Sequence, residues 1–188
     1  LVYFSHALAT TADTKVPRRL AAKTPPALQY FGNTAFGVLP LDYKPQNYAS
    51  AMQFLIGLEL MLKNPHPWQL TLSTDHPNGA PYFVYPRLIA LLCDAGYRRD
   101  FLSTINKKAV ANSDVPSLTR EYTPYEIAVI TRAAPARDLG LRDRGHLGIG
   151  AQADVALYPL MGGKPDFSRA AHVFKAGQPV VAEGGSIA

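Results

Sequence analysis

The stretch that most constrains the fold of this chain is an apolar helical segment, YASAMQFLIGLELML, at residues 48–62. Its apolar side chains lie on nearly every side rather than in one stripe, so the predicted helix should be largely buried. Asn47 is the predicted N-cap, and KNPHPW ends the helix because Pro65 and Pro67 bias the residues before them away from helical angles. The chain therefore needs further elements to enclose this helix.

The following residues supply those elements. LTLST, residues 70–74, predicts a strand, and helices are predicted over 87–94 and 100–107. Thr123, Pro124 and Glu126 have the spacing of a capping box that starts another helix. The order of these elements indicates an α/β core.

The hydrophobic period changes to two after Gly145. ADVALYPL predicts a strand, and HVFKAGQPVVAEGG predicts a hairpin across Gly177. The strands thus cluster at the end of the chain, which indicates a small β subdomain after the α/β core.

Composition narrows the classes of function. Hydrophobic residues make up 47% of the 188 residues and charged residues 18%, which is typical of a globular protein. The chain has a net charge of +5 but no run of five or more basic residues, so nucleic acid is not an expected partner. A basic surface would suit an anionic substrate or an acidic partner protein. No apolar stretch approaches about 18 residues, so no membrane span is predicted.

The single cysteine, Cys93, excludes an internal disulfide and fits a reducing compartment. With no visible signal peptide, we expect a cytoplasmic location. The chain begins with Leu1 rather than Met, and LVYFSHALATTAD resembles the middle of a fold, so we expect a fragment of a longer protein.

No complete metal or nucleotide site can be assembled from neighbouring residues. The five histidines show none of the usual metal-ligand spacings, and each is more typical of a structural residue: His6, His66, His76, His146 and His172. GHLGIG lacks the glycine order of a dinucleotide-binding loop, and no G-x-S-x-G nucleophile elbow is present.

Asp75 is the strongest local candidate for chemistry. It follows the predicted strand 70–74, and the carboxyl ends of strands are where α/β folds place catalytic groups. However, Asp75 begins DHPNG, in which Asn78 and Gly79 favour a tight turn. The local sequence leaves both interpretations open, a turn former or a catalytic carboxylate.

The C-terminal third of the chain resembles the amidohydrolase superfamily. TRAAPARDLGL and RGHLGIGAQADVALYPL match its C-terminal signature, with Ala134 where many members have Asn. The matching positions are Thr131, Pro135, Ala136, Leu139, Gly140 and Leu141, followed by Gly145, Leu147, Gly150, Ala153 and Asp154.

Further blocks narrow the resemblance. NPHPWQLTLSTDHPNG, YPRLIALL and REYTPYEIAVITRAAPA are similar to the group that contains the A subunit of formylmethanofuran dehydrogenase and the alpha subunit of the bacterial formyltransferase/hydrolase complex. The resemblance covers residues 28–183. It implies other subunits of such a complex as partners and a formylated methanofuran-type amide as substrate, in one-carbon metabolism.

The resemblance also implies a (β/α)8 barrel with two zinc ions. The family's ligands are an H-x-H pair, a carboxylated lysine, two histidines and an aspartate after the eighth strand, and only the aspartate is matched here, by Asp75. A whole barrel needs about 250 residues. We therefore expect an incomplete barrel over residues 1–142, a small β-sandwich over 143–188, and no activity of the isolated chain.

The resemblance implies that Asp75 ligates zinc and acts as the base in hydrolysis of an N-formyl amide. His76 alternates to the opposite side of an extended segment, so it is expected to support the site or pack beside it. Asn78 and Gly79 are expected to form the turn, with a smaller chance of touching substrate through the backbone. Two alternatives stay open: a non-catalytic subunit fragment or scaffold, and a different amidohydrolase such as a dihydroorotase or hydantoinase relative.

Overall fold

The computed structural model describes residues 44–74, 80–183 and 185–186. The chain divides into two compact units, Leu1–Thr123 and Pro124–Ala188. The helices of the first unit are α1 Tyr48–Lys63, α2 Tyr85–Cys93, α3 Ala95–Ser103 and α4 Lys107–Ala111, with 3-10 turns at Pro67–Gln69, Tyr82–Val84 and Val115–Ser117.

Helix α1 is the predicted buried helix. Asn47 caps it, because the Asn47 Oδ1 accepts a 3.1 Å hydrogen bond from the backbone N–H of Ser50. Nine of its sixteen residues are buried, among them Leu55, Leu58 and Met61. This confirms the prediction of a largely buried helix that begins after Asn47.

The helix predicted over residues 100–107 begins earlier and ends earlier in the structure. Asp94 ends α2 and caps α3, since its carboxylate accepts a 2.8 Å hydrogen bond from the N–H of Tyr97. Asn106 then caps a separate helix, α4, through the N–H of Ala109. The sequence prediction was wrong here because it gave no weight to these two capping side chains.

The strand predicted over residues 70–74 belongs to neither of the two sheets formed by the described residues. The segment nevertheless alternates as a strand does, with Leu70, Leu72 and Thr74 buried and Thr71 and Ser73 half-buried. The alternation of more and less buried side chains was predicted correctly. The β-ladder was not, because a ladder needs a neighbouring strand and none pairs with this segment among the described residues.

The second unit begins with a distorted helical stretch. Helix α5, Pro124–Ala128, starts at the predicted proline, and a π turn, Val129–Ala133, leads into α6, Ala134–Asp138. Pro135 cannot donate to the carbonyl of Thr131, and its ring crowds that carbonyl, which accounts for the wider turn before it.

The strands of the second unit are β1 Val155–Leu157, β2 Leu160–Met161, β3 Lys164–Pro165, β4 His172–Lys175, β5 Gln178–Ala182 and β6 Gly185–Ser186. They form an antiparallel sheet in the order β1-β4-β5-β6 and a separate β2-β3 ribbon. The predicted hairpin is confirmed, because Ala176 and Gly177, both at positive φ, join β4 to β5.

The structure therefore has the mixed helix and strand content of the predicted α/β class. The incomplete barrel over residues 1–142 and the β-sandwich over residues 143–188 stay predictions. Within the ranges that the structure describes, no helix combines the length and the apolar character needed to cross a bilayer.

Candidate active site

The predicted site residues Asp75, His76, Asn78 and Gly79 lie outside the described residues, but the two ends of their segment are described. The backbone N–H of Ala80 donates a 2.9 Å hydrogen bond to the carbonyl of Thr74. Thr74 is 1% exposed. Thr74 and Ala80, the described residues on either side of positions 75–79, are therefore hydrogen-bonded neighbours in the first unit.

The chain that leads to this point is held by apolar packing. Leu70 and Leu72 are buried, and Leu72 lines a small apolar cavity together with residues of α1 and α2. The other lining residues are Phe54, Leu58, Met61, Leu88, Leu91 and Leu92. This packing keeps residues 70–74 against the two helices.

Two side chains from the REYT block hold the carboxyl end of α1. One guanidinium nitrogen of Arg120 lies 2.6 Å from the carbonyl oxygen of Asn64, and 3.2 and 3.3 Å from those of Met61 and Leu62. The hydroxyl of Tyr122 donates a 2.7 Å hydrogen bond to the same Met61 carbonyl. The last carbonyls of a helix have no partner within the helix, and these donors satisfy three of them.

The same block is tied to the α2–α3 junction through Arg98, which is 1% exposed. Its guanidinium donates to the carbonyls of Leu91, Leu118 and Arg120 at 2.6–3.0 Å. Burial lowers the pKa of Arg98 below its ordinary value, while the charges of Glu121 and Asp94 oppose that shift.

A second buried polar cluster lies beside α1. Glu59, 1% exposed, accepts hydrogen bonds from Lys63 at 2.7 Å, from the Ser113 hydroxyl at 3.1 Å and from the Asp114 N–H at 3.0 Å. Partial burial lowers the pKa of Lys63, but its hydrogen bonds to Asp114 and Glu59 raise it above the ordinary value overall. This cluster joins α1 to the loop before residue 115.

Exposed aromatic side chains follow the Asp75 segment in sequence. Tyr82 and Phe83 are 67% and 69% exposed, and their rings meet edge to face with centroids 6.1 Å apart. They lie on the 3-10 turn just after Pro81, which is extended. An exposed pair of this kind offers an apolar surface close in sequence to the candidate carboxylate.

The described residues contain no group of three or more His, Cys, Asp or Glu side chains that could hold a metal ion. His66 and His146 are exposed loop residues, as predicted. A catalytic zinc site needs at least three protein ligands. Asp75 has the right donor type for such a site, but the part of this chain that is described does not complete one.

Sequence reasoning missed the polar residues that join the helices of the first unit. Glu59 and Arg98 are charged residues within otherwise ordinary helices, and hydrophobic patterning assigns such residues to the surface. Arg120 and Tyr122 were noticed only as part of a family block. For Arg120 and Tyr122, the only signal in the sequence was their place in the REYT block, residues 120–123.

The comparisons with known proteins identify the family. Residues 42–181 match the model described as the amidohydrolase family. The chain is 46% identical over 153 residues to the A subunit of the formyltransferase/hydrolase complex Fhc of Methylorubrum extorquens, and 42% identical over 160 residues to protein FwdA of Methanocaldococcus jannaschii. These matches cover 81% and 80% of this chain and 28% of each relative.

A solved structure agrees with these relatives. The crystal structure of the formyltransferase/hydrolase complex (FhcABCD) from Methylorubrum extorquens with methylofuran matches with a TM-score of 0.73 and 46% identity. The match covers 78% of this chain and 27% of that one, so this chain spans little more than a quarter of the relatives. The predicted resemblance to the A subunit of these complexes is confirmed, and the chain belongs to the amidohydrolase family.

Proposed function

We propose that this chain is the Asp75-bearing part of a zinc-dependent amidohydrolase that releases formate from an N-formylmethanofuran-type amide. The observation that carries the proposal is the 46% identity to the A subunit of Fhc, together with the TDHPNG block inside the matched family region. In a dehydrogenase complex, the same site would run toward formation of the amide. The partners are the other subunits of such a complex.

Asp75 is the central residue of the proposed mechanism. When bound, zinc would lower the pKa of water and polarise the formyl carbonyl. The Asp75 carboxylate would help to hold the metal and would accept the proton of the attacking water. The water oxygen bonds to the formyl carbon, the C–N bond breaks, and Asp75 passes the proton to the leaving amine.

The supports of the Asp75 segment fit this role. A base acts only when its oxygen is held within hydrogen-bond reach of the proton that it removes. The Ala80–Thr74 hydrogen bond and the burial of Leu72 and Thr74 restrict both ends of the segment. In the proposed complex, Tyr82 and Phe83 would contact the ring-bearing amine part of the substrate.

The decisive experiment is the Asp75→Asn substitution in the full-length protein, assembled with its partner subunits. We expect formate release to fall by at least about a hundredfold, because the amide cannot accept the proton. The melting temperature should not change, and Asp100→Asn, an exposed aspartate of α3, is the matched control. Normal turnover by Asp75→Asn would contradict the proposed role.

A scaffold fragment is the second candidate, since no metal cluster lies within the described ranges of this chain. Mass spectrometry of metals bound to the isolated polypeptide separates the candidates. We expect less than one zinc per isolated chain and no formate release, but zinc and activity in the full-length protein. A full-length complex without metal and without activity would favour the scaffold.

A further inference from the structure

The carboxyl end of α1 is held by side chains that have no role in the proposed mechanism. The helix ends at Lys63, and the chain must then turn toward the segment that carries Asp75. Met61, Leu62 and Asn64 direct their carbonyls to one guanidinium nitrogen of Arg120, and Met61 also accepts from Tyr122. A single pair of side chains therefore holds the exit of the helix.

This pair is itself fixed in place. The Arg120 guanidinium carbon lies 4.5 Å from the centroid of the Tyr122 ring, a cation–π contact. The Arg120 carbonyl accepts from buried Arg98, and the Tyr122 N–H donates a 2.9 Å hydrogen bond to the carbonyl of Leu92. These contacts connect the carboxyl end of α1, through Arg120 and Tyr122, to the carboxyl end of α2.

The chain from this exit to the Asp75 segment is stiff. Pro65 and Pro67 each fix their own φ. The Asn64 side chain accepts from the His66 N–H at 2.8 Å, and Leu70 N–H donates to the Pro67 carbonyl at 3.0 Å. Displacement of the exit would therefore carry residues 64–70 with it rather than be absorbed by a flexible linker.

We infer that Arg120 and Tyr122 are positioning residues: they clamp the exit of α1 and thereby fix the course of residues 64–74, the segment that immediately precedes Asp75. This inference rests on the proposed function of Asp75. The planar guanidinium contacts these carbonyls while it also lies over the Tyr122 ring, and the smaller, tetrahedral ammonium of lysine, on a different stem, is not expected to keep both sets of contacts.

The test uses the full-length protein in its assembled complex, with three variants. Arg120→Lys retains the charge, and Tyr122→Phe retains the ring but removes the hydroxyl. Asn47→Ala is the matched control, because it weakens the same helix at its opposite end. Each variant is compared by melting temperature, amide hydrogen exchange over residues 64–74, bound zinc, and kcat and KM of formate release.

We expect Arg120→Lys to lower kcat about tenfold and Tyr122→Phe about threefold, with KM changed less than twofold. Both should speed amide exchange over residues 64–74. Asn47→Ala should lower the melting temperature by a similar amount, speed exchange only near residue 48, and leave kcat within twofold of the parent. Because Tyr122→Phe keeps the buried ring, it decides the outcome if Arg120→Lys does not fold.

The inference is overturned if kcat falls in proportion to the loss of melting temperature in all three variants, including Asn47→Ala. It is also overturned if Arg120→Lys and Tyr122→Phe leave amide exchange over residues 64–74 unchanged. It also fails if kcat is unchanged in Arg120→Lys and Tyr122→Phe while Asp75→Asn is inactive, and then the proposed function still stands. Turnover by Asp75→Asn would instead remove the proposed function, whatever the exchange data show.

Discussion

The carboxylate of Asp154 accepts a 2.8 Å hydrogen bond from the backbone N–H of Ala176, a residue with φ of 49°. The other carboxylate oxygen lies 2.6 Å from the Lys175 ammonium. Left-handed φ values are unfavourable for alanine, so this turn needs outside support. The aspartate of the family's tail signature thus stabilises the β4–β5 hairpin.

This geometry predicts a pH dependence. The hydrogen bond from Lys175, followed by that from Ala176, lowers the pKa of Asp154 below its ordinary value. A carboxylate with a lowered folded-state pKa stabilises the fold above its unfolded pKa of about 3.9, and this contribution is lost as pH falls through the folded-state value. Melting temperatures of the parent and Asp154→Asn should therefore differ at pH 6, and the difference should shrink as the pH falls from about 4 toward the lower folded-state value. A difference that stays constant down to pH 3 would contradict the assignment.

Gly145 predicts a steric effect. It has φ of 77°, and a Cβ there would lie 2.7 Å from the Ala136 Cβ and 2.8 Å from the Arg132 carbonyl oxygen. We expect Gly145→Ala to lower the free energy of unfolding by about 3 kcal/mol, because strain and overpacking add. Gly140→Ala is the control, since Gly140 has φ of 71° but a Cβ added there would meet no atom within 4 Å. This substitution should lower the free energy of unfolding by about 1 kcal/mol. Urea unfolding measures both, and equal losses would show that the close approach is unimportant.

Arg98 predicts a large loss of stability on substitution. Arg98→Met would leave the carbonyls of Leu91, Leu118 and Arg120 without this donor, at a cost of about 3–5 kcal/mol in the free energy of unfolding. The adjacent Arg99 is exposed, so Arg99→Met should change stability by no more than about 0.5 kcal/mol. Comparable urea midpoints for the two variants would refute the role of Arg98 as a structural donor.

The exposed aromatic pair predicts an effect on substrate binding in the full-length complex. If the ring-bearing amine contacts Phe83, Phe83→Ala should raise KM about three- to tenfold and leave kcat within twofold, as expected for one aromatic contact. Tyr125→Ala, another exposed aromatic, is the control and should leave KM unchanged. Loss of partner subunits from the Phe83→Ala complex would instead assign this side chain to an interface between subunits.

Local sequence chemistry predicted several elements well. Asn47 caps α1, Pro124 begins α5, and the turn at Gly177 joins β4 to β5, because each depends on a few adjacent residues. The start of α3 was missed although Asp94 is a good capping residue. Hydrophobic periodicity alone cannot locate the boundary between two consecutive helices, because that boundary is set by the capping side chain between them.

The sequence by itself determined the buried helix, the terminal hairpin, the family and the candidacy of Asp75. Only the tertiary structure decided how the Asp75 segment is supported. Arg98, Arg120 and Tyr122 act on carbonyls 7–61 residues away in sequence. Such contacts depend on which helix ends meet in three dimensions, since an unpaired helix carbonyl accepts any donor that packing brings to it, and no local pattern in the chain records that choice.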